Sequence, residues 1–314
     1  MRDVAVTIPS SIFNIAGGYG FLGISLDLYH DIIKLYHHDS EEDEVYIGGK
    51  FGEEAIEYKI HDIIYDVLYR FKEKHKISSN FRVIIDKDIP LYNGLCGELT
   101  AILGTIFSLS LACEVESSDQ EILNLALQYT EYKYIYWSGL AASYYGGIII
   151  IDPYLAPITI MEADPPEWLD IIFLEPTYRW DPETHNNIIK RLPKSISLTQ
   201  SLLNTASLML ILEGLINEDS GLIKKGLQKW GLEKIIERNI AHYNEIKELL
   251  SEYDILGMAP SNIGPGIAIF IDDRIIDIDN IYKDIRRMIE RNSFPYIPRL
   301  TTISIGIEEI NVTT

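Results

Sequence analysis

The stretch Asp88-Ile89-Pro90-Leu91-Tyr92-Asn93-Gly94-Leu95-Cys96-Gly97-Glu98-Leu99-Thr100-Ala101 sits between a short strand pattern, Phe81 to Asp86, and an apolar run from Leu99 to Cys113. Glycines let the backbone fold so that several N–H groups converge, and the helix that follows points its positive dipole end at the same place. That combination is an anion site. The Gly-Lys-Ser/Thr ending of the common nucleotide-binding loop is absent. Glu98 stands where the anion would rest. It reads either as an acid favoured in the first turn of a helix, or as a carboxylate that repels a triphosphate unless a metal ion lies between them.

Outward from this loop, Asp3 to Pro9 alternates like a strand, and a glycine turn, Ala16-Gly17-Gly18-Tyr19-Gly20, leads to a second long strand over Phe21 to Tyr36. The acidic cluster Ser40 to Glu44 reads as a solvated hairpin tip. Apolar spacing predicts one helix over Glu53 to Lys76, another over Leu99 to Cys113 and a third over Asp119 to Lys133, before a buried strand at Gly147 to Ile151. Four prolines, Pro153, Pro157, Pro165 and Pro166, suggest a boundary. The second half reads as a strand at Leu169 to Leu174, helices from Thr184 to about Leu250, strands at Ile267 to Ile271 and Thr301 to Ile307, and a helix near Ile278 to Arg291. The order is that of an α+β protein.

The loop and helix, IDKDIPLYNGLCGELTAILGTIFSLSLA, resemble the second motif of the GHMP kinases, the superfamily of galactokinase, homoserine kinase, mevalonate kinase and phosphomevalonate kinase. Gly94 and Leu95 match; Cys96 replaces a glycine, and Gly97 and Glu98 replace two serines. VTIPSSIFNIAGGYGFLGISLDLYHDI is similar to the first motif of homoserine kinases, through Pro9, Ser10, Asn14, Gly18, Leu22, Gly23, Leu28 and Tyr29. Gly20 stands where that family has an aspartate. GMAPSNIGPGIAIFI resembles the third motif through Ser261, Gly264 and Pro265, with Asn262 and Ile263 in place of Gly and Ala. The segment Tyr136 to Gly147 resembles the stretch that carries a proposed catalytic acid in related mevalonate kinases. Here Ser138 or Gly139 takes its place, and no carboxylate lies between Tyr132 and Ile151.

The resemblance implies a two-domain GHMP kinase fold. A ribosomal protein S5 domain 2-like N-terminal domain would span 1–155 and bind ATP, and a ferredoxin-like C-terminal domain would span 156–314. It implies a homoserine-kinase-like, ATP- and Mg²⁺-dependent phosphotransferase in amino-acid biosynthesis, acting on a small-molecule hydroxyl. The alternative is a catalytically inactive relative serving as a binding or regulatory protein. The implied phosphate-binding residues are Asn93, Gly94, Leu95, Cys96, Gly97, Glu98, Leu99 and Thr100, with Glu98 the candidate metal ligand. The implied substrate-binding residues are Asn14, Arg238 and Arg191, the last offset in register because Ile189 holds the family's arginine position. No catalytic residue is assigned.

Composition sets outer limits. Hydrophobic residues make up 47% of the 314 residues and charged residues 24%, an ordinary globular balance with enough apolar surface for a core. The formal net charge of −20 repels nucleic acid and anionic lipid, so neither is an expected partner. A small-molecule substrate is expected, and a homodimer is compatible with the reading. Two cysteines make no disulfide framework, and the charged N-terminus lacks a signal peptide's apolar stretch; both suit the cytoplasm. The seven histidines show no metal-ligand spacing, and His37-His38 reads as part of the exposed hairpin.

Overall fold

A computed structural model describes residues 1–152, 160–163 and 165–312. In chain order its elements are β1 (Val4–Phe13), β2 (Leu22–His38), β3 (Glu44–Gly48), α1 (Gly52–Glu57), α2 (Ile60–His75), β4 (Asn80–Asp86), α3 (Gly97–Ala112), α4 (Asp119–Ala126), α5 (Lys133–Tyr145), β5 (Ile148–Ile151) and β6 (Ile160–Ala163). Then come β7 (Leu169–Pro176), α6 (Pro182–Arg191), α7 (Leu198–Ile216), α8 (Ser220–Gln228), α9 (Glu233–Ile236), α10 (Tyr243–Leu250), β8 (Gly257–Pro260), β9 (Ile267–Asp272), α11 (Ile278–Arg291), β10 (Tyr296–Thr301) and β11 (Glu308–Ile310).

Two sheets organise them. The first runs β11-β1-β2-β4-β3, with β5 pairing the start of β2 and β6 pairing β5. The second is antiparallel, in the order β10-β7-β9-β8. One core fills the space between the first sheet and α2 to α5, with Phe13, Ile33, Val83, Ile102 and Leu140 among its members. The other is built on β7 and β9 and also takes in Ile12, Ile15, Leu22, Ile24 and Leu26 of the first sheet. The two halves of the chain therefore share buried surface, and the loops carrying the three sequence motifs lie along that seam. The fold is α+β as expected, built on two sheets.

Several local expectations are corrected. The acidic cluster is not a hairpin tip: β2 pairs antiparallel with β4, whereas β3 lies outside β4 and runs parallel to it. Asp43 there accepts hydrogen bonds from Lys72 Nζ at 2.9 Å and the Phe81 amide at 2.8 Å, so it ties the connection to α2 and β4. The helix expected over Glu53 to Lys76 breaks at Lys59, whose φ of 63° turns the chain so that Ala55 and Ile60 both reach the core. The helix expected over Asp119 to Lys133 ends at Ala126, and α5 starts afresh at Lys133. α5 carries no amphipathic period because it is buried on nearly every side. The strand expected over Thr301 to Ile307 is split: β10 ends in the second sheet, and isolated bridges at Ile303 and Ile305 hand the chain to β11 in the first. Pro153 and Pro157 of the expected boundary lie outside the described residues.

Candidate active site at the seam of the two sheets

The loop between β4 and α3 is anchored by a buried cluster. Asp31 of β2 accepts hydrogen bonds through Oδ1 from the amides of Asp88 and Ile89, both at 2.9 Å. Its Oδ2 accepts from Lys87 Nζ at 2.7 Å and Thr100 Oγ1 at 2.6 Å. Asp31 and Lys87 are both fully buried. A buried pair of this kind survives because further hydrogen bonds support both charges, and Lys87 Nζ also donates to the Ile89 carbonyl. The cluster fixes both ends of the loop, since Asp88 opens it and Thr100 lies in the first turn of α3.

Within the loop, Tyr92, Gly94 and Cys96 all take left-handed backbone angles. A side chain on Gly97 would place its Cβ 2.2 Å from the Pro90 carbonyl oxygen, so only glycine allows α3 to begin so close beneath the loop.

The third-motif loop locks onto this one. Ser261 Oγ donates to the Gly94 carbonyl and accepts from the Phe13 amide at 3.3 Å. The Asn262 amide donates to the Phe13 carbonyl at 2.6 Å. Asn14 donates through Nδ2 to Asn262 Oδ1 at 2.9 Å and to the Ile135 carbonyl at 3.0 Å, and its Oδ1 accepts from the Gly20 amide at 2.7 Å. Three segments far apart in sequence thus meet at one point. Asn14 is buried there, with its amide engaged by protein partners.

Glu98 begins α3 facing a cavity of about 210 Å³, lined also by Tyr58, Tyr92, Tyr132, Tyr136 and His185. Its Oε1 accepts from the Tyr92 amide at 2.8 Å, while Oε2 is buried without a hydrogen-bond partner. Burial pushes its carboxyl up to about 7 against the two amide bonds that favour the charged form. His185 of α6 holds its Nε2 3.2 Å from the Tyr136 hydroxyl, and its Nδ1 is likewise without a partner. Burial pushes the imidazole down to about 4. At neutral pH the cavity therefore holds a neutral histidine beside a carboxyl near its midpoint.

The other implied residues fall around this centre. Leu95 belongs to the second core and Leu99 lines the cavity. Cys96 is buried, and Thr100 is occupied by Asp31. Asn93 is buried with both side-chain polar atoms unpartnered. Ser138 is buried, and a Cβ on Gly139 would meet the Phe13 ring at 2.6 Å, so α5 presses too closely on β1 to accept a carboxylate at that position. Arg191 ends α6, and Arg238 lies two residues before Ile240, which packs against Gly264. Both arginines are exposed, and neither pairs with an acid among the described residues. No group of three or more metal-ligating side chains occurs among the described residues.

Sequence reasoning passed over His185 and Tyr58. It also passed over a more open hollow of about 550 Å³ that shares Tyr58 with the cavity and is lined by Lys50, Phe51, Glu54 and Arg179. Arg179 pairs with Glu54 and stacks on Phe51 at 4.3 Å. The one available signal was Asp181-Pro182, a helix start that sets His185 on the first turns of α6.

No family model matches the chain. It is 26% identical over 267 residues to a homoserine kinase of Sulfurisphaera tokodaii, covering 84% of this chain and 86% of that protein. Its fold is similar to the crystal structure of a homoserine kinase from Cytophaga hutchinsonii, with a TM-score of 0.83 at 17% identity over 99% of this chain and 98% of the other. A structure of the protein MDDEF, in complex with MVAPP, AMPPCP and magnesium, matches with a TM-score of 0.67 at 12% identity over 98% of this chain and 99% of that one. With the three motifs converging on one seam, the chain has the fold of these kinases and is similar to homoserine kinases along most of its length.

Proposed function

We propose that the protein is an ATP-dependent phosphotransferase of the homoserine-kinase kind, acting on the hydroxyl of a small molecule, homoserine being the first to test. The observation that carries this is the lock formed by Ser261 between Gly94 and Phe13, which joins all three motif loops beside the start of α3. A rigid loop of convergent amides at a helix N-terminus suits phosphate, and phosphoryl transfer depends mainly on positioning and charge stabilisation.

Glu98 bears on the metal. A buried carboxylate oxygen without a partner at the phosphate end of α3 fits a hard cation, and Mg²⁺ commonly takes one or two carboxylates together with substrate phosphates. Glu98 would hold Mg²⁺, which when bound offsets the charge of the phosphates. Asn93 to Thr100 would surround the phosphates, and the tyrosines of the cavity offer faces for a base. The exposed, unpaired Arg191 and Arg238 would take a substrate carboxylate. Asn14 would serve chiefly by holding the first loop to the third. No side chain of α5 is assigned the role of base: Ser138 is a buried serine, and the helix leaves no space for an acid at Gly139. The domain division at 155 and a cytoplasmic location, in keeping with two free cysteines, belong to the same reading.

Calorimetric titration with ATP, with and without Mg²⁺, tests the proposal together with an ADP-release assay over homoserine and other small alcohols. Mg²⁺-dependent ATP binding and turnover with one acceptor are expected. Protein that binds no nucleotide at millimolar ATP and Mg²⁺ would overturn it and leave the inactive relative as the reading.

A further inference from the structure

The cavity at the start of α3 has few groups able to take a proton. Among the described residues no lysine or arginine lines it. Tyr58, Tyr92, Tyr129 and Tyr136 are each pushed above the ordinary phenol value by burial, so they stay protonated at neutral pH. Glu98, Glu131 and His185 are the remaining acceptors in its lining. Glu131 is exposed to water. Glu98 has one oxygen on the Tyr92 amide and the other at the phosphate end of its helix.

His185 comes from a different element, and its free nitrogen is uncommitted. Its backbone amide donates to the Asp181 carbonyl at 3.0 Å, in the capped first turn of α6. Only 2% exposed, its ring packs among Tyr92, Tyr136 and Trp180, with ring centres 5.2, 6.0 and 6.5 Å away. Tyr92 is the residue whose amide holds Glu98, so the imidazole lies one aromatic ring away from the phosphate loop. The Tyr136 hydroxyl, 3.2 Å from Nε2, fixes the rotation of the ring. With Nε2–H donating to that hydroxyl, Nδ1 carries the lone pair. Nδ1 is buried and has no hydrogen-bond partner among the described residues. Leaving such a nitrogen unpaired costs free energy, which a hydroxyl entering the cavity would recover.

We propose, on the phosphotransferase reading of the site, that His185 is the catalytic base: Nδ1 takes the proton of the acceptor hydroxyl as that oxygen attacks the γ-phosphorus of ATP. The new bond joins the acceptor oxygen to phosphorus. The bond from phosphorus to the bridging oxygen breaks, and ADP leaves with that electron pair. The proton passes to Nδ1 and goes to water when the products depart. Tyr136 is a positioning residue that keeps Nε2 protonated. Asn186 stands beside the ring, short of hydrogen-bond geometry, and its side chain favours the charged form. Burial holds the imidazole down to about 4, so at neutral pH it is unprotonated and has the basicity of an ordinary carboxylate. A triphosphate beside it raises that basicity.

Steady-state kinetics of the full chain, with homoserine or another alcohol that supports ADP release, tests the assignment. His185→Gln and His185→Ala should each lower kcat by about 100-fold or more, and leave KM for ATP and the calorimetric Kd for ATP–Mg²⁺ unchanged. Added imidazole should restore part of the lost rate in His185→Ala, whereas pyrrole, of similar size but without a basic lone pair, should not. Tyr136→Phe should lower kcat and leave KM for ATP alone. Wild-type turnover with kcat unchanged in both His185 variants would overturn the assignment and leave the kinase reading standing. Equal rescue by pyrrole would do the same, because it would make His185 a packing residue. A wild type that phosphorylates no alcohol would overturn both.

Discussion

Glu98 Oε1 takes the Tyr92 amide at 2.8 Å and so bends the carboxyl back into the loop that precedes its own helix, leaving Oε2 buried and unpaired. An amide that would otherwise face an anion is already engaged, and the remaining oxygen asks for a cation or a proton.

Glu98 and His185 should impose opposite pH dependences. Glu98 is raised to about 7 from 4.5, so the folded state binds the extra proton between those values, and stability falls as pH rises through that window. Glu98→Gln removes the cost and should be more stable than wild type above pH 7, by about 3 kcal/mol at most, with the advantage gone below pH 4.5. His185 is lowered to about 4 from 6.5, so the unfolded state binds the extra proton and stability falls as pH drops through that window. His185→Gln should therefore gain on wild type only below pH 6.5. Urea melts across pH 4 to 8 check both signs.

Removing one partner of the buried anchor should be severe. Lys87→Met leaves Asp31 charged and buried, at a cost of about 3–5 kcal/mol. The same variant should loosen the loop before α3, which hydrogen exchange at Asp88 and Ile89 would report. Unchanged urea midpoints would contradict the role assigned to the pair.

Restoring an acid on α5 should not restore a family-like site. Gly139→Asp drives a side chain into the Phe13 ring and buries a carboxylate, for a loss of more than about 3 kcal/mol. Adding Phe13→Ala should recover part of that loss, because the two positions touch. A Gly139→Asp protein as stable as wild type would refute the packing argument.

Arg191→Ala and Arg238→Ala should leave the thermal midpoint almost unchanged, since both side chains are exposed and unpaired. If they hold a substrate carboxylate, each should raise KM for the carboxylate-bearing substrate roughly 10- to 100-fold and leave KM for ATP alone. Steady-state kinetics with a decarboxylated analogue separates the two effects.

Local sequence carried much of this protein. The α11 bounds, the buried α3, the run of β2 and the glycine loop at Gly94 were legible because period, apolar runs and turn residues act over a few positions. So were the three motifs in their order, and with them the fold. What stayed hidden depends on contacts between distant segments. β3 parallel to β4, the chain's return to the first sheet at β11, and the uniformly buried α5 leave no periodic mark. The active-site neighbourhood divides the same way. The sequence placed an acid at Glu98 and showed no acid near Ser138, but only the tertiary structure decided what these mean. Burial in the folded chain raises the Glu98 carboxyl in spite of the Tyr92 amide, and the Phe13 ring against Gly139 closes the other position, because burial and steric exclusion belong to the packed chain and not to any stretch of it.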